Sequence, residues 1–152
     1  MKKRTRVWVI ALLFVTLMAS ACAKPAATTT VTGNEIVIRG VTLAEDLNEN
    51  FQAINPSTQF YPTDTIFVSV NIAGRLNTGI LTGKFYTDEQ LISEATLDLS
   101  TVSQGVIFSV GEDTYAGFNL IPSEPWPVGT GYHFELLVNG SRYGDYPYMV
   151  IQ

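Results

Sequence analysis

The chain holds one cysteine and one histidine in 152 residues. An intrachain disulfide framework is therefore excluded, and a metal centre built on His and Cys ligands has almost nothing to draw on. Cations are scarce as well, with nine Lys and Arg against fourteen Asp and Glu. Recognition of a phosphate backbone needs clustered Lys and Arg, so nucleic acid is not an expected partner. No G-x-S-x-G elbow, H-E-x-x-H pair, phosphate-cradling glycine loop or D-x-D-x-D-G calcium loop occurs in the sequence. The expectation is a protein that is not an enzyme and carries neither cofactor nor metal.

What is present begins with Lys2, Lys3, Arg4 and Arg6, followed by an apolar run from Val7 to Ala19. Those thirteen residues fall short of the roughly 20 that span a bilayer as a helix, and the layout is that of a secretory signal. The run ends in Leu17-Met18-Ala19-Ser20-Ala21-Cys22. Ala19-Ser20-Ala21 would serve an ordinary signal cleavage site. With the only cysteine directly behind it, the stretch resembles a bacterial lipobox, with Ala19 where Leu is commoner. The resemblance implies that residues 1–21 are removed and that Cys22 becomes the lipidated first residue. Its thioether would carry a diacylglyceryl group with palmitate-type chains, and each buried methylene contributes about 0.8 kcal/mol to anchoring. The expected location is the bacterial cell envelope, outside the cytoplasm. Ala23 rather than Asp after the cysteine resembles the outer-membrane sorting pattern of hosts that have two membranes.

Residues 1–21 hold four of the nine cations and none of the anions, so five Lys and Arg face fourteen Asp and Glu from Cys22 onward. Such a chain is repelled by anionic head groups. The expected lipid holds it to the membrane while its surface charge keeps it off. Residues 22–34 contain small and polar side chains, one proline and no apolar periodicity, and are expected to be a disordered tether. The twelve of them behind the cysteine, residues 23–34, extend to about 40 Å at about 3.3–3.6 Å each.

Residues 35–152 suffice for one domain with one core. Glu35 to Leu43 reads as a strand. Residues 42–54 carry Leu43, Leu47, Phe51 and Ile54 near helical spacing and a Thr42/Glu45 capping-box pattern, and are expected to form a loop with at most a helical turn. From Ile66 to Ala73 apolar residues alternate cleanly. Ile80–Tyr86, Leu91–Leu99 (an edge strand by its charges), Val106–Val110 and Tyr115–Ile121 follow, separated by turns that include Asp88-Glu89 and Glu112-Asp113. Those acidic pairs read as solvated turns. Tyr132, Phe134, Leu136 and Val138 share one strand face, which turns His133 to the other. Asn139-Gly140 is a hairpin turn, and Tyr146–Ile151 returns as the last strand. Seven or eight short antiparallel strands at this spacing predict an all-β sandwich.

Trp126-Pro127-Val128-Gly129-Thr130-Gly131-Tyr132, the alternating strand behind it, Asn139-Gly140 and the aromatic closing strand resemble the last hairpin of immunoglobulin-like domains, including uncharacterised ones of bacterial envelopes. The resemblance covers residues 60–152 and implies a single immunoglobulin-like sandwich without the cysteine pair of antibody domains. It implies little about function, because sandwiches host many activities. Trp126, Tyr143, Tyr146 and Tyr148 are the candidate binding surface, since planar aromatics suit both sugar faces and protein interfaces. The same rings are also what a disulfide-free core needs. The expected function is a membrane-anchored, non-catalytic binding module for an envelope protein, a secreted protein or a polysaccharide. The alternatives are a carbohydrate-binding module and an inhibitor or accessory subunit of an envelope enzyme. If Cys22 is the anchor, Cys22→Ser abolishes incorporation of an alkyne-tagged palmitate and releases the protein from the membrane fraction.

Overall fold

The computed structural model describes residues 36–76, 78–100 and 107–152. The expected signal, Cys22 and the tether lie outside the described residues, as does the turn position Asn77.

Ile66, Val68, Val70 and Ile72 are completely or almost completely buried. The period of two in their sequence is the pleat of β4 (Ile66–Ala73), whose inward face they form. The same alternation builds β5 (Ile80–Thr87), β8 (Asp113–Leu120) and β9 (Gly129–Val138), with Leu81 and Phe85, Ala116 and Phe118, and Tyr132, Phe134 and Leu136 turned inward. Around them lie β1 (Ile38–Leu47), β2 (Ala53–Pro56), β3 (Gln59–Phe60), β6 (Gln90–Asp98), β7 (Ile107–Val110) and β10 (Ser141–Val150). No helix occurs among the described residues.

The strands form two five-stranded sheets, β2-β1-β4-β8-β7 and β3-β10-β9-β5-β6. In the first, β1, β4, β8 and β7 take the A, B, E and D places of the immunoglobulin sandwich. In the second, β10, β9, β5 and β6 take G, F, C and C′. The protein is an immunoglobulin-like β-sandwich. Ten strands are described rather than seven or eight, and one pair, β3 with β10, runs parallel. Tyr132, early in β9, donates its hydroxyl to the carbonyl of Pro127 at 2.7 Å, the tyrosine corner of this fold. As expected, β6 is an edge strand, and Asn139 and Gly140 both take positive φ.

Residues 42–54 depart from expectation. Thr42 to Leu47 continue β1 and Ala53 to Pro56 form β2, so no helical turn stands there. Leu43 faces the core, whereas Leu47 and Phe51 cover the outer face of the first sheet at Gly117. Residues serving two faces of one sheet thus imitate a helical stripe. The connecting turn is fixed by Asn48, whose side-chain oxygen accepts from the backbone N–H of Asn50 and Gln52, both at 2.9 Å. Ser69 donates to the carbonyl of Phe51 at 2.6 Å.

Two residues after Tyr132, where antibody domains place a cysteine, stands Phe134. Its ring lies 4.9 Å from Phe85 in its own sheet and 5.6 Å from Phe118 in the opposite one. Gly83 makes room for them, since a Cβ there would sit 2.7 Å from Phe118 Cδ1 and 2.8 Å from Phe134 Cε2. In denaturant titrations, Phe134→Ala is expected to cost about 3–5 kcal/mol as a cavity. Gly83→Ala is expected to cost about 1–3 kcal/mol as an overpacked contact.

Candidate functional site

The four aromatic candidates do not share one surface. Tyr146 and Tyr148 pair across β10 and β9 with Phe134 and Tyr132, which places them on the core side. Tyr148 is 3% exposed and packs 5.5 Å from Tyr132 and 5.8 Å from Phe60, ring to ring; it is a core residue and offers no surface. Trp126 is half-buried at the end of the sandwich where β9 begins, with its backbone N–H donating to Pro62 at 2.8 Å. Tyr143 is 50% exposed, and its hydroxyl reaches the carbonyl of Ile38 at 3.3 Å. Only Tyr143 and Tyr146 belong to the same edge.

The reason is a bulge. The hairpin starts with Ser141 opposite Val138 and Arg142 opposite Leu137, then shifts by one residue so that Gly144 faces Leu136. Without that extra residue Tyr146 would oppose His133 on the outer face. A one-residue shift exchanges the two faces of a strand, and here it turns two tyrosines inward and leaves Tyr143 at the edge.

That edge borders a depression of about 480 Å³. Its walls are Val41 and Leu43 of β1, Tyr146 and Pro147 of β10, and residues 56–58, where the chain crosses from one sheet to the other. Each sheet is incomplete on this side. Among the described residues β2 covers β1 only from Ala44 to Leu47, and β3 covers β10 only at Met149 and Val150. Ser57 N–H donates to Leu43 O at 3.0 Å, so the carbonyl of Leu43 points outward. By the alternation of an antiparallel strand, the N–H and C=O of Val41 point the same way, and no described strand covers them. The contact from Tyr143 to Ile38 closes one end of this slot and the crossing segment closes the other. Pro147 lacks a donor, which disfavours pairing along the β10 side. The usable hydrogen-bonding edge is that of β1.

His133 lies, as expected, on the outer face of the second sheet. Its ring stacks on Tyr86 at 4.8 Å with 10° between planes, and its Nε2 is 3.8 Å from Asp145. Arg142 joins Glu135 at 2.8 Å and Asp145 at 3.3 Å. Among the described residues no serine or threonine is a hydrogen-bond partner of this histidine. The cluster is a network of partly exposed ion pairs, each worth little alone. Among the described residues no three His, Cys, Asp or Glu side chains come together as a metal site. Asp88 and Glu89 occupy a turn, with Asp88 at φ 51° over Gly131; Glu112 also lies in a turn, but Asp113 departs from the expected solvated turn, since it opens β8 and pairs with Arg39 at 3.2 Å.

No protein-family model matches the chain, and no curated protein matches it in sequence. The slot itself was not legible before the fold. Its walls come from residues a hundred positions apart, and the one local sign of an uncovered edge is the proline at position 147 within β10.

Burial of Tyr148, with Tyr132 beside it, raises its phenol above the ordinary value of 10.0. Burial likewise raises Tyr146, with Tyr143 contributing. The fold therefore favours the neutral phenols. Their contribution is complete below pH 10 and is lost as the pH climbs past the unfolded value toward the raised one. Among the described residues the Tyr148 hydroxyl has no hydrogen-bond partner, so Tyr148→Phe should leave the Tm at pH 7 unchanged or higher. It should also reduce the loss of Tm above pH 10; a Tm lowered at pH 7 would mean that the hydroxyl is satisfied in solution.

Proposed function

We propose that the protein is a lipid-anchored module of the bacterial envelope that binds without catalysing, and that its slot receives an extended protein segment. The supporting observation is the combination of an apolar slot with the uncovered backbone of Val41 at its rim. An extended segment would lay its backbone along β1 and seat an apolar side chain between Leu43 and Tyr146. This is strand addition, in which main-chain hydrogen bonds provide affinity and a pocket selects the side chain. A sugar would use the planar faces of several exposed rings. Burial of Tyr148 removes one of the two rings on which that reading leans, so a peptide is the better fit. An inhibitor or accessory subunit would use the same slot on a segment of its enzyme.

The test is selection of displayed random peptides on the full-length chain. Expected winners alternate apolar and polar residues and place one bulky apolar side chain centrally. They should lose about tenfold or more in affinity against Thr58→Trp, which fills the slot from an exposed rim position without touching the core. Peptides indifferent to Thr58→Trp, or binding of polysaccharide in their place, would overturn the strand-addition reading.

A further inference from the structure

We propose that the end of the sandwich carrying Tyr61, Ile121 and Val128 is a second docking surface, which fits a basic protein and seats one of its Lys or Arg side chains beside Tyr61. These three side chains are 55%, 67% and 53% exposed, more than any other large apolar residue among those described. They converge at one end. Phe60 and Gly129 both pair with Val150 of β10, so Tyr61 and Val128 stand about two strand spacings apart, about 10 Å. Ile121 directly follows Leu120, which pairs with Ile66 at the same end of the opposite sheet.

The loops that present them are held. Tyr61 and Asp64 exchange two hydrogen bonds, Tyr61 N–H to Asp64 Oδ2 at 2.8 Å and Asp64 N–H to Tyr61 O at 3.0 Å. Trp126 N–H ties the second loop to Pro62, and the tyrosine corner ties Pro127 to β9. Prolines at 62, 122, 125 and 127 fix φ through both loops. Apolar side chains on loops that are already ordered lose little further entropy on binding.

The charge around them has one sign. Glu45, Asp46, Asp64, Asp88, Glu89 and Glu124 lie at this end, and none of them forms an ion pair among the described residues. The three described arginines lie at the other end. Arg39 pairs with Asp113, Arg75 donates to Gly111 O, and Arg142 holds Glu135 and Asp145. A depression of about 310 Å³ is lined by Glu45, Asp64, Thr65 and Tyr61. Two carboxylates beside an aromatic ring suit a cationic side chain, through charge and through the ring face. A membrane of anionic lipid is repelled by such a rim, and so is a second copy of the same end.

The described chain begins at the opposite end, where Val37 O accepts from Ala73 N–H at 2.8 Å. Docking at the acidic end does not depend on the slot.

The test uses the full chain in phosphatidylcholine nanodiscs with labelled Ile and Val methyl groups. The probes are two ten-residue peptides, one alternating Lys with Leu and the other alternating Glu with Leu. The Lys peptide is expected to shift the Ile121 and Val128 methyls, and the Glu peptide to bind about tenfold or more weaker. Similar losses are expected for Tyr61→Ser, for the pair Ile121→Ser and Val128→Ser, and for the pair Glu45→Gln and Glu124→Gln, whereas Thr58→Trp binds the Lys peptide normally. Affinity that survives all serine variants but not the amides would reduce the surface to bulk charge attraction and overturn the proposal. Shifts confined to Val41 and its neighbours, or tip methyls shifted by the nanodisc lipid alone, would overturn it as well.

Discussion

The contact of Phe118 with Phe134 across the two sheets, made possible by the missing side chain at Gly83, is the constraint on which the rest of the structure depends. A disulfide at this place would tie the sheets covalently whatever their shape. Here the tie is non-directional hydrophobic burial and dispersion, and its specificity comes from one ring fitting over a glycine. β5 and β9 pair from Leu81 with Val138 through Thr87 with Tyr132, so the fit at Gly83 also sets the central register of the second sheet. From that register follow the position of β10, the separation of β10 from β1, and the shape of the slot between them.

The immunoglobulin strand order leaves the two long sides of the sandwich unequal. One side is bounded by β6 and β7. The other carries the short strands β2 and β3, and the chain passes between the sheets through residues 57 and 58. Because each short strand covers only part of its neighbour, the crossing creates an apolar recess instead of a flush edge. Pro147 and the bulge at Tyr143 limit open pairing along β10. That protection leaves β1 as the open side, which is the edge the proposed strand addition would use.

Much of the architecture was legible in the residues. The alternation of β4, the glycine-bearing hairpin at 139–140 and the tyrosine before Phe134 each follow a local rule, and the sandwich follows from their spacing. What was not legible depended on extra or missing atoms at single positions. The bulge in β10 reverses the faces of Tyr146 and Tyr148, and nothing in a run of aromatic and polar residues announces it. In β1, a register shift between Ile38 and Gly40 lets Ile38, Val41 and Leu43 all point inward, which breaks strict alternation in the sequence. Leu47 and Phe51 looked helical because their true partner, Gly117, lies some seventy residues away. A glycine inside an otherwise alternating strand is the one local sign of such a close approach.

The two ends of the chain's described part lie at opposite ends of the sandwich, with Ile36 near the close of β4 and Gln152 beyond the close of β10. A pull applied between these two ends therefore runs along the strands. The hydrogen bonds joining β1 to β4 lie across that line, so the load reaches them together as shear and does not peel them one by one. A sandwich of this build resists being drawn out by a force applied between its two ends.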